Sequence, residues 1–197
     1  MQSQDGFTMM TSQEFPGWLA CQKVARPVKR IQWHHTWAPD YAGFNGKNHF
    51  ARQKAMKDYH MKHNGWGDIA QQFTIFPDGA IVTGRPLSAV PIGIKGGNTG
   101  GICIENFGNF DIGGDVMRAE QKEALLTVTA LLLRRFSLTP ESGVTYHGWW
   151  SAAGICLGDY VPGKSIKTCP GTNFMGVGNT KSAYLHSIAP LLREKMK

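Results

Sequence analysis

Three short stretches of this chain carry side chains that can do chemistry together. They are Ile31-Gln32-Trp33-His34-His35-Thr36, Tyr146-His147-Gly148 and Lys167-Thr168-Cys169-Pro170-Gly171. Two imidazoles and a thiolate suffice to hold zinc while leaving its fourth position open, the feature that separates a catalytic zinc from a structural one. The first stretch precedes the other two by over a hundred residues. Zinc fingers draw their ligands from close local pairs, so here the fold itself must assemble the set. Glu105 lies in the run Ile102-Cys103-Ile104-Glu105, where a carboxylate is costly to bury unless it is paired or functional. It can serve as a proton acceptor in hydrolysis or form a structural ion pair with Lys95 or Arg85. Lys167 stands two residues before Cys169, where a cation can stabilise an oxyanion or remain a solvated loop lysine.

His34 and His35 are adjacent on a strand and point to opposite faces, so only one of them can serve a metal. Spacing does not choose between them. His147 falls between a short strand, Val144 to His147, and a long connection from Trp149 to Ile166, and long connections in compact domains are often functional. The strand that carries His34 spans Val28 to Thr36. A short helix is expected over Ser12 to Val24, with Phe15, Trp18 and Leu19 at helical spacing. A second should run from an Asn48 N-cap to about His63, turning Phe50, Ala51, Met56, Tyr59 and His60 inward. Gln71 to Phe76, Pro77-Asp78-Gly79 and Ala80 to Thr83 read as a hairpin, and Gly101 to Phe107 as a strand. Ala119 to Phe136 is an amphipathic helix with Leu125, Val128 and Leu132 on one stripe. Asn179 to Lys197 closes the chain as a helix that Pro190 disturbs. Met1 to Thr11 is polar. Strands alternating with helices give an α/β domain with a central mixed sheet flanked by helices, and one domain over 1–197 suits the length.

The 197 residues are 42% hydrophobic and 18% charged, an ordinary globular composition. No apolar run approaches the roughly 20 residues of a membrane span. An apolar secretory segment is missing from the N-terminal stretch, so an exit by holin or by lysis of the producing cell is expected for a protein acting on cell wall. The four cysteines, Cys21, Cys103, Cys156 and Cys169, are irregularly spaced. In a chain without a secretory segment, free thiols with one metal ligand are a better account than a Cys156–Cys169 disulfide. A net charge of +7 and a pI near 9.3 favour an anionic partner. Basic residues are scattered and no nucleic-acid-binding motif is recognisable, which points to a charged surface such as anionic wall polymers rather than to DNA or RNA.

The chain also resembles a family, the type-2 N-acetylmuramoyl-L-alanine amidases and peptidoglycan recognition proteins, and is most similar to single-domain Gram-positive or prophage endolysins. The resemblance rests on Arg30 to Thr36, Phe73-Thr74-Ile75-Phe76-Pro77-Asp78-Gly79, Gly101 to Asp111 and Lys167 to Phe174, in the family's order and within about residues 12 to 180. It implies a zinc amidase that cuts the bond between N-acetylmuramic acid and L-alanine in peptidoglycan. His34 rather than His35 would be the first ligand, joined by His147 and Cys169. Glu105 would be the proton shuttle and Lys167 the oxyanion partner. Gln71 and Gln72 stand where phage relatives carry a tyrosine and a histidine, and glutamine cannot transfer a proton. With Asn98, Trp149 and Trp37 they are candidates for substrate contact; Trp150, Trp66 and Tyr160 could also stack on sugar rings. A monomer without nucleic-acid partners is expected. A family member that binds muropeptide without cutting it is the alternative, and a zinc-stabilised nucleic-acid binder a remote one.

Overall fold

The computed structural model describes residues 1–197 and is organised around one seven-stranded sheet. Its strands are β1 (Gln2–Gln4), β2 (Phe7–Met10), β3 (Arg30–His35), β4 (Phe73–Ile75), β5 (Ile81–Thr83), β6 (Gly101–Asn106) and β7 (Val144–Tyr146). The order across the sheet is β1-β2-β5-β4-β6-β3-β7. From β4 to β7 neighbouring strands run parallel, whereas β1, β2, β5 and β4 pair antiparallel. The mixed sheet expected from the alternating pattern is therefore present.

Helices cover both faces. On one side lies α3 (Ala119–Arg135), whose stripe of Leu125, Val128 and Leu132 is fully buried. Trp33 of β3 points to this side and donates its indole N–H to Thr129 Oγ1 at 3.0 Å. Gln121, also on α3, donates to the carbonyls of Ile75 and Phe107 where β4 and β6 end. On the opposite face lies α2 (His49–Lys62), which buries His49, Gln53 and Met56. The expected inward set is corrected in part: Ala51 is exposed and Tyr59 is 56% exposed. Polar residues hold that face instead, because Gln53 donates to the Thr83 carbonyl and His49 pairs with Asp78.

Three further elements depart from expectation. The polar N-terminus forms the β1–β2 hairpin, whose turn at Asp5 and Gly6 has positive φ at both residues, the tight turn that an Asp-Gly pair favours. The first helix shrinks to α1 (Phe15–Ala20). The closing helix is divided into α5 (Lys181–Ala183), a π-helical turn over Tyr184–Ile188 and α6 (Ala189–Lys195). Pro190 has no N–H to continue the ladder, which accounts for the irregular turn just before it. A one-turn helix, α4 (Pro140–Gly143), precedes β7. No helix is long and apolar enough to cross a membrane.

Candidate metal centre and active site

Parallel pairing of β3 with β6 sets Gln32 beside Cys103 and His34 beside Glu105. Paired residues of neighbouring strands share a face, so all four side chains leave the sheet on the side away from Trp33. Trp33 in turn pairs with Tyr146 of β7, and His147 follows directly at the start of a 3₁₀ turn (His147–Trp149). The His34 and His147 rings lie 4.9 Å apart, centre to centre.

Cys169 reaches the same place from the far end of the long connection, and that loop is tied down at several points. Asn179 donates to the Thr168 carbonyl at 2.6 Å, and Thr168 Oγ1 donates to Asp111. Gly148 N–H donates to the Cys169 carbonyl at 2.6 Å. A Cβ on Gly148 would stand 2.8 Å from the Cys169 carbonyl oxygen and 2.9 Å from that of Lys167, so only glycine lets the two segments approach this closely.

The result is one nitrogen or sulfur each from His34, His147 and Cys169, all within 4.8 Å of one another. His34 Nδ1 and Cys169 Sγ are 3.7 Å apart. A tetrahedral zinc with ordinary bond lengths separates a nitrogen and a sulfur ligand by about 3.6 Å, so this donor set fits the ion. Burial depresses both imidazole pKa values, with Lys167 adding to the effect, and that of His147 falls to about 4. Neutral imidazole is the form that binds metal. Burial pushes the Cys169 thiol pKa up, and the nearby Glu105 carboxyl adds to this; a bound cation would reverse that by favouring the thiolate.

His34 also belongs to a second group with Cys103 and Glu105. Its Nε2 is buried without a partner, as is Gln32 Oε1. Both converge with Cys103 Sγ on Gly93, where a Cβ would stand 2.5 Å from Gln32 Oε1, 2.9 Å from Cys103 Sγ and 3.0 Å from His34 Nε2. The two nitrogens of one ring thus serve different neighbourhoods, and only the Nδ1 side holds three donors at the open cleft, since Cys103 does not line it.

That cleft has a volume of about 900 Å³. Glu105 is half-buried in it beside His34, and removal from water raises the carboxyl pKa to about 8, against the opposing pull of Lys167. Neither Lys95 nor Arg85 pairs with Glu105; Arg85 donates to the carbonyls of Ile69 and Asp68. Lys167 is exposed at the rim. His35 also borders the cleft but accepts from Phe110 N–H through Nδ1 at 3.1 Å.

The substrate-contact candidates separate. Trp37, 59% exposed, and Gln71 line the cleft. Gln71 is itself fully buried, donates to Thr74 Oγ1 at 2.9 Å and leaves Oε1 unpartnered. Gln72, Asn98 and Trp149 do not line it. Gln72 accepts from Cys103 N–H and donates to the Ala89 carbonyl, locking β4 to β6 and a loop. Asn98 accepts from the N–H groups of Gly93 and Ile94 at 2.8 Å. Trp149 is a core residue donating to the Asn179 carbonyl, and its neighbour Trp150 is buried too. Arg52, Met56 and Tyr59 on α2 also line the cleft, with His60 and, beyond the helix, Trp66. Met56, Tyr59 and His60 are expected from their spacing to pack inward, and the four-residue and three-residue steps from Arg52 to Met56 to Tyr59 are the signal in the sequence that they share a face.

A family model described as N-acetylmuramoyl-L-alanine amidase matches residues 24–172. The chain belongs to this family. Over 84 residues it is 30% identical to a human N-acetylmuramoyl-L-alanine amidase, a match covering 43% of this chain and 15% of that protein. Over 61 residues it is 34% identical to peptidoglycan-recognition protein 1 of Holotrichia diomphalia, covering 31% of this chain and 30% of that one. The matched stretches span less than a third of either relative. The endolysin amidase LysCS of Clostridium intestinale shares the fold, with a TM-score of 0.56, 23% identity, and coverage of 75% of this chain and 78% of that chain. Within the amidase family's matched range lie His34, Glu105, His147, Lys167 and Cys169, the five residues that meet at the cleft.

Proposed function

We propose that this chain is a zinc-dependent N-acetylmuramoyl-L-alanine amidase and that residues 1–197 form its catalytic domain. The observation that carries this reading is the convergence of His34, His147 and Cys169 within 4.8 Å in a cleft that Glu105 and Lys167 also line. Those three residues would hold the ion. When bound, zinc supplies Lewis-acid polarisation of the scissile carbonyl and of water.

The remaining work falls to the chain's own side chains. Glu105, which a cation held beside it would keep ionised, takes a proton as water adds to the lactyl carbonyl carbon, forming the new C–O bond. It returns that proton to the amide nitrogen as the C–N bond breaks. The products are a muramic acid carboxylate and a free L-alanine amine. Lys167, exposed at the rim, offsets negative charge building on the carbonyl oxygen. Gln71, fully buried in the cleft wall and unable to shuttle a proton, takes no part in the proton transfer. Trp37 offers an exposed ring for a sugar face.

Digestion of purified sacculi tests this directly. New L-alanine amino termini without new reducing sugars are expected; reducing sugars without free alanine would identify a glycosidase. The alternative, a module that binds muropeptide without cutting it, is favoured by Gln71 alone. It requires retention of an intact soluble muropeptide by the zinc-loaded protein, with no alanine released.

A further inference from the structure

The 14 acidic residues of the chain are unevenly placed. None occurs in 15–39, in 79–104 or in 124–140, although these stretches include Lys23, Arg26, Lys29, Arg30, Arg134 and Arg135. The fold brings these six residues to one end of the molecule. Arg30 begins β3 opposite Gly101, the first residue of β6, and its guanidinium donates to the carbonyls of Gly97 and Thr99. Arg26 donates to the carbonyls of Leu87 and Gly101. Lys29 packs its stem against Gly100. Arg135, at the C-terminal end of α3, donates to the carbonyls of Leu19 and Gln22, which draws Arg134 and the chain before β3 to the same end. None of the six has a carboxylate within ion-pair distance. Glu141, the acid that follows α3 in the chain, is already paired with Arg193.

This basic end is the start of the parallel strands, and the cleft lies toward their other end. Four residue steps along β3 take the chain from Arg30 to His34, about 13 Å along a strand. Arg26, Arg30 and Arg135 spend their hydrogen bonds on backbone carbonyls, so their charge remains while their forks are occupied. Lys23, Lys29 and Arg134 are exposed, and none of their side chains makes a hydrogen bond within the chain. Two ammonium point charges and one free guanidinium fork suit a polymer of repeating phosphates. No exposed large aromatic side chain lies in these stretches apart from Trp37 at the cleft, so there is no stacking platform of the kind that single-stranded nucleic acid uses.

We infer that this end is a docking surface for an anionic, phosphodiester-linked wall polymer, holding the protein on the wall independently of the cleft. The inference rests on the amidase reading for its choice of polyanion. The test compares the wild type with Lys23→Glu/Lys29→Glu/Arg134→Glu and with a control of equal net charge, Lys47→Glu/Lys122→Glu/Lys164→Glu. Each is sedimented with purified Gram-positive walls, before and after acid extraction of the phosphodiester polymers, and assayed on a soluble muropeptide.

The wild type and the control should adsorb alike, and the first variant about tenfold or more weakly at 0.15 M salt, since each lost contact removes a counterion-release contribution. Extracted walls should abolish the difference, and all three proteins should turn over the soluble muropeptide equally. Equal adsorption by both variants would overturn the surface. Double-stranded DNA bound more tightly than wall, and lost in the first variant, would overturn the wall polymer in favour of nucleic acid. Absence of turnover in the wild type would overturn the amidase reading, on which the choice of polymer depends, while the adsorption data still locate the surface.

Discussion

Cys169 meets His34 across 135 positions of sequence, at 3.7 Å, and removing its sulfur leaves two imidazoles that cannot complete a three-ligand site. Zinc content by elemental analysis should fall from about one ion per chain to a small fraction in Cys169→Ala; full retention would move the site elsewhere. Glu105→Gln keeps the shape of the side chain and removes the proposed proton acceptor. It should retain metal and fold while turnover drops on the order of 10²–10⁴-fold, measured as alanine amine released from a soluble muropeptide. Gly93→Ala tests the back of the site. Its methyl would press on Gln32 Oε1, Cys103 Sγ and His34 Nε2, and overpacking of this kind costs about 1–3 kcal/mol. A melting temperature lower by roughly 2–10 °C is expected, together with weaker zinc retention, because the crowding falls on the ring that carries the proposed ligand nitrogen.

Among the elements, β3, β6 and α3 were legible because hydrophobic period reports directly on how a strand or helix is buried. Period is silent on direction when both faces of a strand are covered. Ile31 to His35 are all buried, so period could not choose between His34 and His35; the family resemblance implies His34, and the register sets it beside Glu105. It is equally silent on which tryptophan faces water, which is why Trp149 and Trp37 looked alike as sequence and separate by burial. The β1–β2 hairpin escaped notice because β1 is fully exposed and bears no apolar alternation; its Asp5-Gly6 turn was the unused sign. Asn98 looked like a groove residue and proved to be a loop clasp, a role that depends on N–H groups invisible to side-chain pattern.

One pair that fastens α2 to the β4–β5 turn gives a pH prediction. Burial alone would raise the pKa of Asp78, but hydrogen bonds from His49 and Ala80 N–H, with the His49 charge, outweigh it and hold it below the usual 3.8. A depressed carboxyl pKa contributes stability above the unfolded value, and that contribution is lost as pH falls through the folded value. The gap in urea midpoint between wild type and Asp78→Asn should therefore be full at neutral pH and shrink below about pH 4.

At the scale of the whole molecule, the sheet holds the His34–His147–Cys169 cleft where the parallel strands finish and unpaired positive charge where they begin. Its consequence reaches the long connection from Trp149 to Ile166. That segment leaves the sheet directly after His147 and returns at Cys169, so two proposed ligands of one ion stand at its two feet. Within it the backbone holds itself by six bonds, among them Ser151 with Ile155 and Ile166 with Trp150. An ion joining the feet would act as a clasp on a loop, lowering the free energy of the closed form without touching the loop's own contacts. Stripping zinc with a chelator should then leave α3 and the central strands intact while exposing 150–166 to a protease. Early cuts confined to that segment, suppressed when zinc is restored, are the expected fragments. Cutting at the same rate with and without metal would mean that the ion stabilises only its own ligands. The proposed ion would in that way also be a guard: a molecule that has lost it would be the one marked for digestion.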